Sequence, residues 1–114
     1  MQYLLLIYDE EKRWLKMSKA EQEVETKAFG AFGQEFAAAI QGGNGLQTTS
    51  TAKTVRVRDG KTLTTDGPFA ETKEQLGGYY LIEARDSAEA SSIAAKIPWA
   101  RFGSIEVRPI MIYS

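Results

Sequence analysis

The feature that most limits the fold is the distribution of apolar residues in three predicted strands. The run YLLLIY (residues 3–8) is apolar at every position. Successive side chains of a strand point to opposite faces, so both faces of this strand would be apolar. The segments GGYYLIEA (77–84) and SIEVRPIMIY (104–113) repeat the pattern. A sheet built from these strands therefore has two apolar faces to cover.

Two helices are predicted beside the strands. The first spans residues 18–40 and begins with a capping box of Ser18 and Glu21. Its apolar stripe repeats every four residues, with Phe29 at the flanking position, and consists of Val24, Ala28, Phe32, Phe36 and Ile40. The second helix begins at Asp86, a residue with N-cap chemistry, and ends at Pro98. Each helix offers one apolar side to a sheet.

The segment between the first helix and the strand at 77–84 contains a predicted hairpin. TVRVR and KTLTT flank Asp59-Gly60, a pair typical of a type I′ turn, which places Arg58 opposite Lys61 and Arg56 opposite Leu63. Before it, GGNG (42–45) is expected to end the helix, and LQTTST (46–51) to form a short edge segment. Before the first helix, residues 9–17 are expected to form a charged connection anchored by Trp14 and Leu15. In the last strand, Pro109 predicts a bulge or an edge position.

This order predicts one α+β domain over residues 1–114, a ferredoxin-like βαββαβ sandwich with an antiparallel sheet. Two helices cover only one face of such a sheet. Leaving five or six large apolar side chains wet on the other face would forgo roughly 8–15 kcal/mol of burial. We therefore expect a homodimer in which a second copy covers that face. The alternative is a monomer whose loops 9–17 and 42–53 fold over the sheet.

The composition excludes several chemistries. The chain has no Cys and no His, so thiolate, Ser-His-Asp and His-metal mechanisms are impossible within it. Acid–base work would fall to carboxylates, Lys or Tyr. A metal could bind only through oxygen ligands, and we predict neither metal nor cofactor. A net charge of −1 does not favour nucleic acid or membrane surfaces as partners. The N-terminus lacks the pattern of a signal peptide, and we expect a cytoplasmic protein.

Asp66 is the candidate catalytic residue. Aspartate in a turn often accepts a hydrogen bond from the amide two residues on, but here that residue is Pro68, which has no N–H. The carboxylate either caps a wider loop through a later amide or is free to hold a ligand or take a proton.

Six further residues are candidates for ligand binding, each with a structural alternative. Arg56 either binds an anion or keeps the hairpin soluble. Phe69 either gates a cavity or anchors its loop. Lys73 belongs either to the rim of a pocket or to a solvated charged face. Tyrosines of the strands are expected in core or interface packing, unless a hydroxyl orients a substrate. The candidate set is Tyr8, Arg56, Phe69, Lys73, Tyr80 and Arg108.

The sequence resembles the DGPF-domain branch of the YCII-related proteins. The resemblance rests on TVRVRDGKTLTTDGPFAETKEQLGGYYLIEA, with YLLLIY before it and IPWARFGSIEVRPI after it. It implies a ferredoxin-like subunit that pairs as a dimeric α/β barrel, with a pocket between or beside the sheets. Better-known relatives carry a His-Asp pair proposed for catalysis; this chain has no His, so only an acid is carried over, at Asp66. Some members are linked to extracytoplasmic-function sigma factors, which implies a regulatory role.

Three functions follow from these observations. One is a small-ligand-binding or regulatory module, with a sigma factor as a partner. Another is a dimeric-barrel enzyme that uses Asp66 as base and Arg or Lys as anion holder, and the third is a structural dimer. The absence of His and Cys favours the binding or regulatory module over the enzyme.

Overall fold

The computed structural model describes residues 1–113. Within that range the elements follow in this order: β1 (Gln2–Asp9), α1 (Glu11–Leu15), α2 (Lys19–Glu35), β2 (Ile40–Gly45), β3 (Lys53–Arg58), β4 (Lys61–Asp66), β5 (Gln75–Glu83), α3 (Ser87–Ala94) and β6 (Ser104–Pro109). Short 3-10 turns occupy Thr49–Thr51 and Pro98–Arg101. In this part of the chain, no helix is long and apolar enough to cross a membrane.

The main sheet confirms the ferredoxin-like prediction. Its four strands lie in the order β2-β5-β1-β6, and every neighbouring pair is antiparallel. β1 and β5 are therefore central, which suits their continuous apolar sequences. β6 is an edge strand and ends at Pro109, as expected for a residue that cannot donate a ladder hydrogen bond.

The strand β2 was not predicted. GGNG (42–45), expected to end the first helix, forms most of β2, and α2 stops at Glu35. The glycines of this segment give no strand signal in the sequence. Its strand conformation comes from antiparallel pairing with β5. The segment 46–51 is a loop with a 3-10 turn rather than an edge strand.

The predicted hairpin is present but is separate from the main sheet. β3 and β4 form their own two-stranded sheet, which we call the arm (residues 53–66). Its register is the predicted one, with Arg58 opposite Lys61 and Arg56 opposite Leu63. Both turn residues have positive φ, 51° at Asp59 and 73° at Gly60, as a type I′ turn requires.

The core lies between the helices and one face of the sheet. Alternate residues of β1 are buried from Tyr3 to Asp9, whereas the residues between them are partly exposed. Ile82 of β5, Phe32 of α2 and Ile97 after α3 complete this core. Capping fixes the helix starts: Ser18 and Glu21 form the predicted capping box, and Asp86 accepts a hydrogen bond from the Glu89 amide.

The inward stripe of α2 differs from the predicted one. A strict four-residue repeat turns by about 40° per step relative to a 3.6-residue helix. The predicted stripe therefore drifts away from the sheet towards the N-terminus, and Val24 is 68% exposed. The side that faces inward carries the predicted Phe29, Phe32 and Phe36, but towards the N-terminus it carries Gln22 and Glu25 in place of Val24 and Ala28. A carboxylate is thus directed towards the sheet.

Two smaller expectations were also wrong. Leu15, a predicted anchor, is 63% exposed, whereas Trp14 packs as expected. The last strand stops at Pro109, and Met111, Ile112 and Tyr113 follow it as exposed residues.

The second face of the main sheet, which we call the open face, lies opposite the helices. Leu4 lies beside Leu81 and Arg108 in the ladders, and Leu6 lies beside Tyr79 and Glu106. Residues directly opposite one another share a face, so apolar side chains of the two central strands are grouped there. The prediction of two apolar faces is confirmed for β1 and β5, whereas β6 places Glu106 and Arg108 on the open face.

Candidate functional site

A cavity of about 700 Å³ lies between the helices and the β2–β5 half of the sheet. We call it the Trp99 cavity. Its lining comes from the end of β1, from α1 and α2, from β2 and the loop after it, and from β5 and the Pro98–Arg101 turn. The aromatic lining residues on the helix side of the sheet are Trp14, Phe29, Tyr80 and Trp99.

Trp99 is the centre of the aromatic wall. Its ring lies 6.0 Å from that of Trp14 and 5.5 Å from that of Phe29, the latter in an edge-on arrangement. Gly77 of β5 makes room for the indole, because a Cβ there would lie 2.9 Å from its Cζ3 atom. The absence of a side chain on the strand therefore allows the ring to approach the sheet.

A buried ion network supports this wall. Arg13 Nε donates to Asp9 Oδ2 at 2.6 Å, and the two terminal guanidinium nitrogens donate to Glu25 at 2.6 and 3.1 Å. Glu25 Oε1 also accepts the indole N–H of Trp99 at 2.7 Å. Asp9 is only 5% exposed and lines the cavity. The network thus joins β1, α1, α2 and the Trp99 turn through charge-assisted hydrogen bonds.

The environment shifts the pKa of three groups around the cavity. Hydrogen bonds from Arg13 lower the pKa of Glu25, and the Trp99 indole adds to this effect against the opposing effect of burial. The same pairing raises the pKa of Arg13. Burial raises the pKa of the Tyr80 hydroxyl. At neutral pH, Glu25 is therefore ionised, Arg13 is charged and Tyr80 is a neutral phenol.

A second group of polar contacts forms the rim. The carboxylate of Glu11 accepts hydrogen bonds from the backbone N–H of Thr49 at 2.6 Å and from its hydroxyl at 2.9 Å. The backbone N–H of Glu11 donates to Gln75 Oε1 at 2.9 Å. α1, the loop after β2 and the start of β5 are thereby held together at the cavity edge.

The loop between β4 and β5 (residues 67–74), which we call the DGPF loop, adjoins this rim. Pro68, Ala70, Glu71 and Thr72 line a smaller hollow of about 260 Å³ together with Thr49 and Gln75. Gln75 also lines the Trp99 cavity, and its side-chain amide donates to the Thr72 carbonyl at 2.6 Å. The DGPF loop therefore lies beside the Trp99 cavity.

The structure does not bring the seven candidate residues to one place. Asp66 lies on the arm, is 87% exposed and accepts a hydrogen bond from Lys53 Nζ at 2.6 Å. Arg56 is exposed on the arm, and Phe69 and Lys73 are exposed in the loop after it. Among the alternatives left open, Asp66 pairs with a lysine rather than capping a loop, and Phe69, 81% exposed, does not anchor its loop within the subunit.

The remaining three candidates lie on β1, β5 and β6. Tyr8 and Arg108 belong to the open face, where Tyr8 lies opposite Ser104 and Arg108 opposite Leu4. Tyr80 lines the Trp99 cavity. A binding role for these residues stays a prediction.

Sequence reasoning missed the ion network and Trp99. Asp9 and Arg13 are opposite charges four residues apart in DEEKRW, and they pair across the junction between β1 and α1. A stripe drawn with the 3.6-residue period would also have directed Glu25 inward. Within residues 1–113, no three acidic side chains are grouped as a metal site requires.

Comparison with known proteins identifies the family. A model of the YCII-related domain matches residues 1–114. The chain belongs to the YCII-related family. An uncharacterised protein of Rhizobium meliloti (strain 1021) is 38% identical to it over 117 residues, which cover 99% of this chain and 94% of that protein.

A solved structure shares the fold of this YCII-related chain. It is 5-chloro-2-hydroxyhydroquinone dehydrochlorinase from Burkholderia phenoliruptrix AC1100, in complex with 2,5-dihydroxybenzoquinone. The TM-score is 0.61, with 97% of this chain and 94% of that chain covered. At 16% sequence identity, the likeness establishes the fold alone.

Proposed function

We propose that this chain is a small-molecule-binding protein of the DGPF-domain branch and that its ligand occupies the Trp99 cavity. One observation carries the proposal: a cavity of about 700 Å³ combines an aromatic wall with a buried, ion-paired carboxylate. Small-molecule sites typically measure roughly 300–1,000 Å³ and combine apolar walls with a few fixed polar groups. The aromatic wall would bind an apolar body, and Tyr80 and the rim would orient its polar atoms.

We propose further that the working unit is a homodimer. The accessible surface of the subunit is 8122 Å², about 1,900 Å² above the roughly 6,200 Å² typical of a folded chain of this mass. The radius of gyration is 16.1 Å, against about 13 Å for a compact domain of this length. A stable interface typically buries about 800 Å² per partner, so the excess area is sufficient for one.

The open face and the arm are the surfaces that a second copy would cover. Leu4, Leu6 and Leu81 are grouped on the open face, and Val55 and Val57 on the arm are 60% and 61% exposed. Sedimentation equilibrium at micromolar concentration should give twice 12.6 kDa for the native chain, and Leu6→Glu should shift this mass towards the monomer. Val24→Glu, on the exposed side of α2, should leave the mass at the dimer value. A native mass of one subunit would overturn the dimer.

The test of ligand binding uses the two tryptophans. The chain contains only Trp14 and Trp99, and both line the cavity. A screen of small aromatic fragments should therefore find compounds that change the indole emission and saturate. Thr26→Phe places a ring at the α2 side of the cavity and should abolish binding. Ala28→Phe, an exposed neighbour on α2 outside the lining, is the matched control and should bind normally.

Failure of the screen, or binding that Thr26→Phe leaves intact, would contradict the proposal. The same screen separates a binding protein from a structural dimer, for which no fragment should saturate in the cavity.

A dimeric-barrel enzyme is the second candidate function. The fold is shared with a dehydrochlorinase, and Asp9 supplies a buried carboxylate beside the cavity. Asp66, the acid that the sequence favours for an enzyme, lies on the arm and would have to reach the cavity of a second copy. Any turnover found for a bound compound should fall in Asp9→Asn if Asp9 acts, and in Asp66→Asn if the arm does. The proposed sigma-factor partner is tested separately by co-purification with the native dimer.

A further inference from the structure

The charged side chains that line the Trp99 cavity are all acidic. Among residues 1–113, the lining includes Asp9, Glu10 and Glu11 but no lysine or arginine. A cavity that takes an anionic ligand normally presents a cationic group or several free N–H donors to it. The lining therefore disfavours a carboxylate or phosphate ligand.

The nearest arginine does not supply the missing positive charge. Arg13 donates through Nε to Asp9 and through both terminal nitrogens to Glu25. It balances one of these two carboxylates. Arg101 also acts on Glu25, lowering its pKa. These two arginines act on Asp9 and Glu25, and within residues 1–113 neither forms an ion pair with Glu10 or Glu11.

Glu11 is the acid best placed to act on a ligand. Its carboxylate accepts hydrogen bonds from the Thr49 N–H and hydroxyl, both neutral donors. The carboxylate is therefore fixed in position, and it forms no ion pair within residues 1–113. Glu11 and Trp14 are three residues apart on α1, so they lie on the same side of that helix and both line the cavity.

The aromatic wall already accommodates a cation. The Arg13 guanidinium carbon lies 5.5 Å from the centre of the Trp99 ring. A cation within about 6 Å of a ring centre is attracted by the negative face of the ring. Trp14, Phe29 and Tyr80 offer further rings within the same cavity. Aromatic faces and carboxylates favour the same kind of ligand.

We infer that the Trp99 cavity binds an organic cation, such as an amine carried on a small apolar or aromatic body. This inference rests on the proposed ligand-binding function and adds the charge of the ligand. The apolar body lies against the rings, and the ammonium group lies towards Glu11. Because the attraction is electrostatic at a partly open site, the affinity decreases as salt increases.

Three probes that share one ring test the charge directly: benzylamine, benzyl alcohol and benzoate. Binding to the full chain is followed by the NMR signals of the two indole N–H groups. Benzylamine should bind about tenfold more tightly than either other probe at low salt. Glu11→Gln keeps an acceptor for Thr49 but removes the charge, and it should weaken benzylamine binding several-fold while leaving benzyl alcohol unchanged.

Glu23→Gln is the control, because it makes the same charge change on an exposed face of α2 outside the lining. Equal affinities for the three probes, or equal effects of Glu11→Gln and Glu23→Gln, would overturn the inference and leave the proposed function standing. If none of the probes binds at millimolar concentration while another fragment saturates the cavity, the inference again fails alone. Absence of binding by every fragment would overturn both.

Discussion

Arg13→Met tests whether the buried ion network holds the Trp99 cavity together. Methionine keeps much of the length and apolar stem of arginine but removes its five donors. Asp9 and Glu25, whose side chains are 5% and 15% exposed, would then lie close to each other without the cation between them. The variant isolates the contribution of charge pairing from that of packing.

The expected loss of stability is large for a single ion-pair residue. Removing one partner of a buried ion pair costs about 3–5 kcal/mol, because the remaining charge is left uncompensated. Arg13 is itself 24% exposed, so water would enter and recover part of this energy. We therefore expect a decrease of about 2–4 kcal/mol in the free energy of unfolding. For a domain of this length, this corresponds to a fall in Tm of about 8–16 °C.

The pH dependence identifies the cause. The pKa of Glu25 is lowered in the folded protein, chiefly by hydrogen bonds from Arg13. Its contribution to stability is therefore present above the unfolded pKa, near 4.5, and is lost as the pH falls through the folded pKa. Without Arg13, burial opposes ionisation of the Glu25 carboxylate. The stability difference between wild type and Arg13→Met should thus be largest near neutral pH and shrink below about pH 4.5.

Urea denaturation followed by circular dichroism measures these differences at each pH. Arg85→Met is the matched control, since Arg85 forms an exposed pair with Glu89 at 3.3 Å and should contribute less than about 0.5 kcal/mol. Adding Glu25→Gln to Arg13→Met should restore part of the stability, because one uncompensated charge is removed. A loss below 1 kcal/mol, or a loss that is the same at neutral and acid pH, would refute the network as the support of the cavity.

Three other predictions concern local structure. Ser18→Ala removes the side-chain acceptor of the α2 capping box and should lower the unfolding free energy by about 1 kcal/mol, measured by urea denaturation. Gly103→Ala would make the new Cβ overlap the Tyr8 carbonyl oxygen and should destabilise the fold by about 3 kcal/mol or more. Gly30→Ala, with no atom within 4 Å of its Cβ, should raise Tm by a few degrees, and the reverse order would contradict the backbone geometry. Asp66→Asn removes an exposed ion pair and should change stability by less than about 1 kcal/mol, so a larger loss would show that the arm is buried in the assembly.

Local patterns predicted much of the fold correctly. The two helix N-caps, the type I′ turn and the continuous apolar runs of β1 and β5 each depend on residues close in sequence, and each was found where expected. The second strand of the sheet escaped prediction because its sequence, IQGGNG, has almost no strand propensity. Its conformation comes from pairing with β5, a contact between distant segments that local propensity does not contain.

The candidate site was harder to predict, for a related reason. The charged residues around DGPF predicted a site at Asp66 and Phe69. Both residues are exposed, on or beside the arm. Asp9 and Glu25 were not predicted as site residues. In the sequence they lie in charged segments that are typical of a solvated surface, and nothing there indicates their partners. Only the tertiary fold brings Arg13 between them, and only then does burial of a carboxylate become favourable.

Dimer formation through the arm would also affect the Trp99 cavity. The loop that follows the arm forms a hollow next to the rim, and Gln75 belongs to both. A second copy that covers the exposed valines of the arm would therefore also fix the position of this loop relative to the cavity mouth. Dissociation by Leu6→Glu should then weaken fragment binding even though Leu6 does not line the cavity. Unchanged affinity in the monomeric variant would show that each subunit forms its site alone and that the arm serves assembly only.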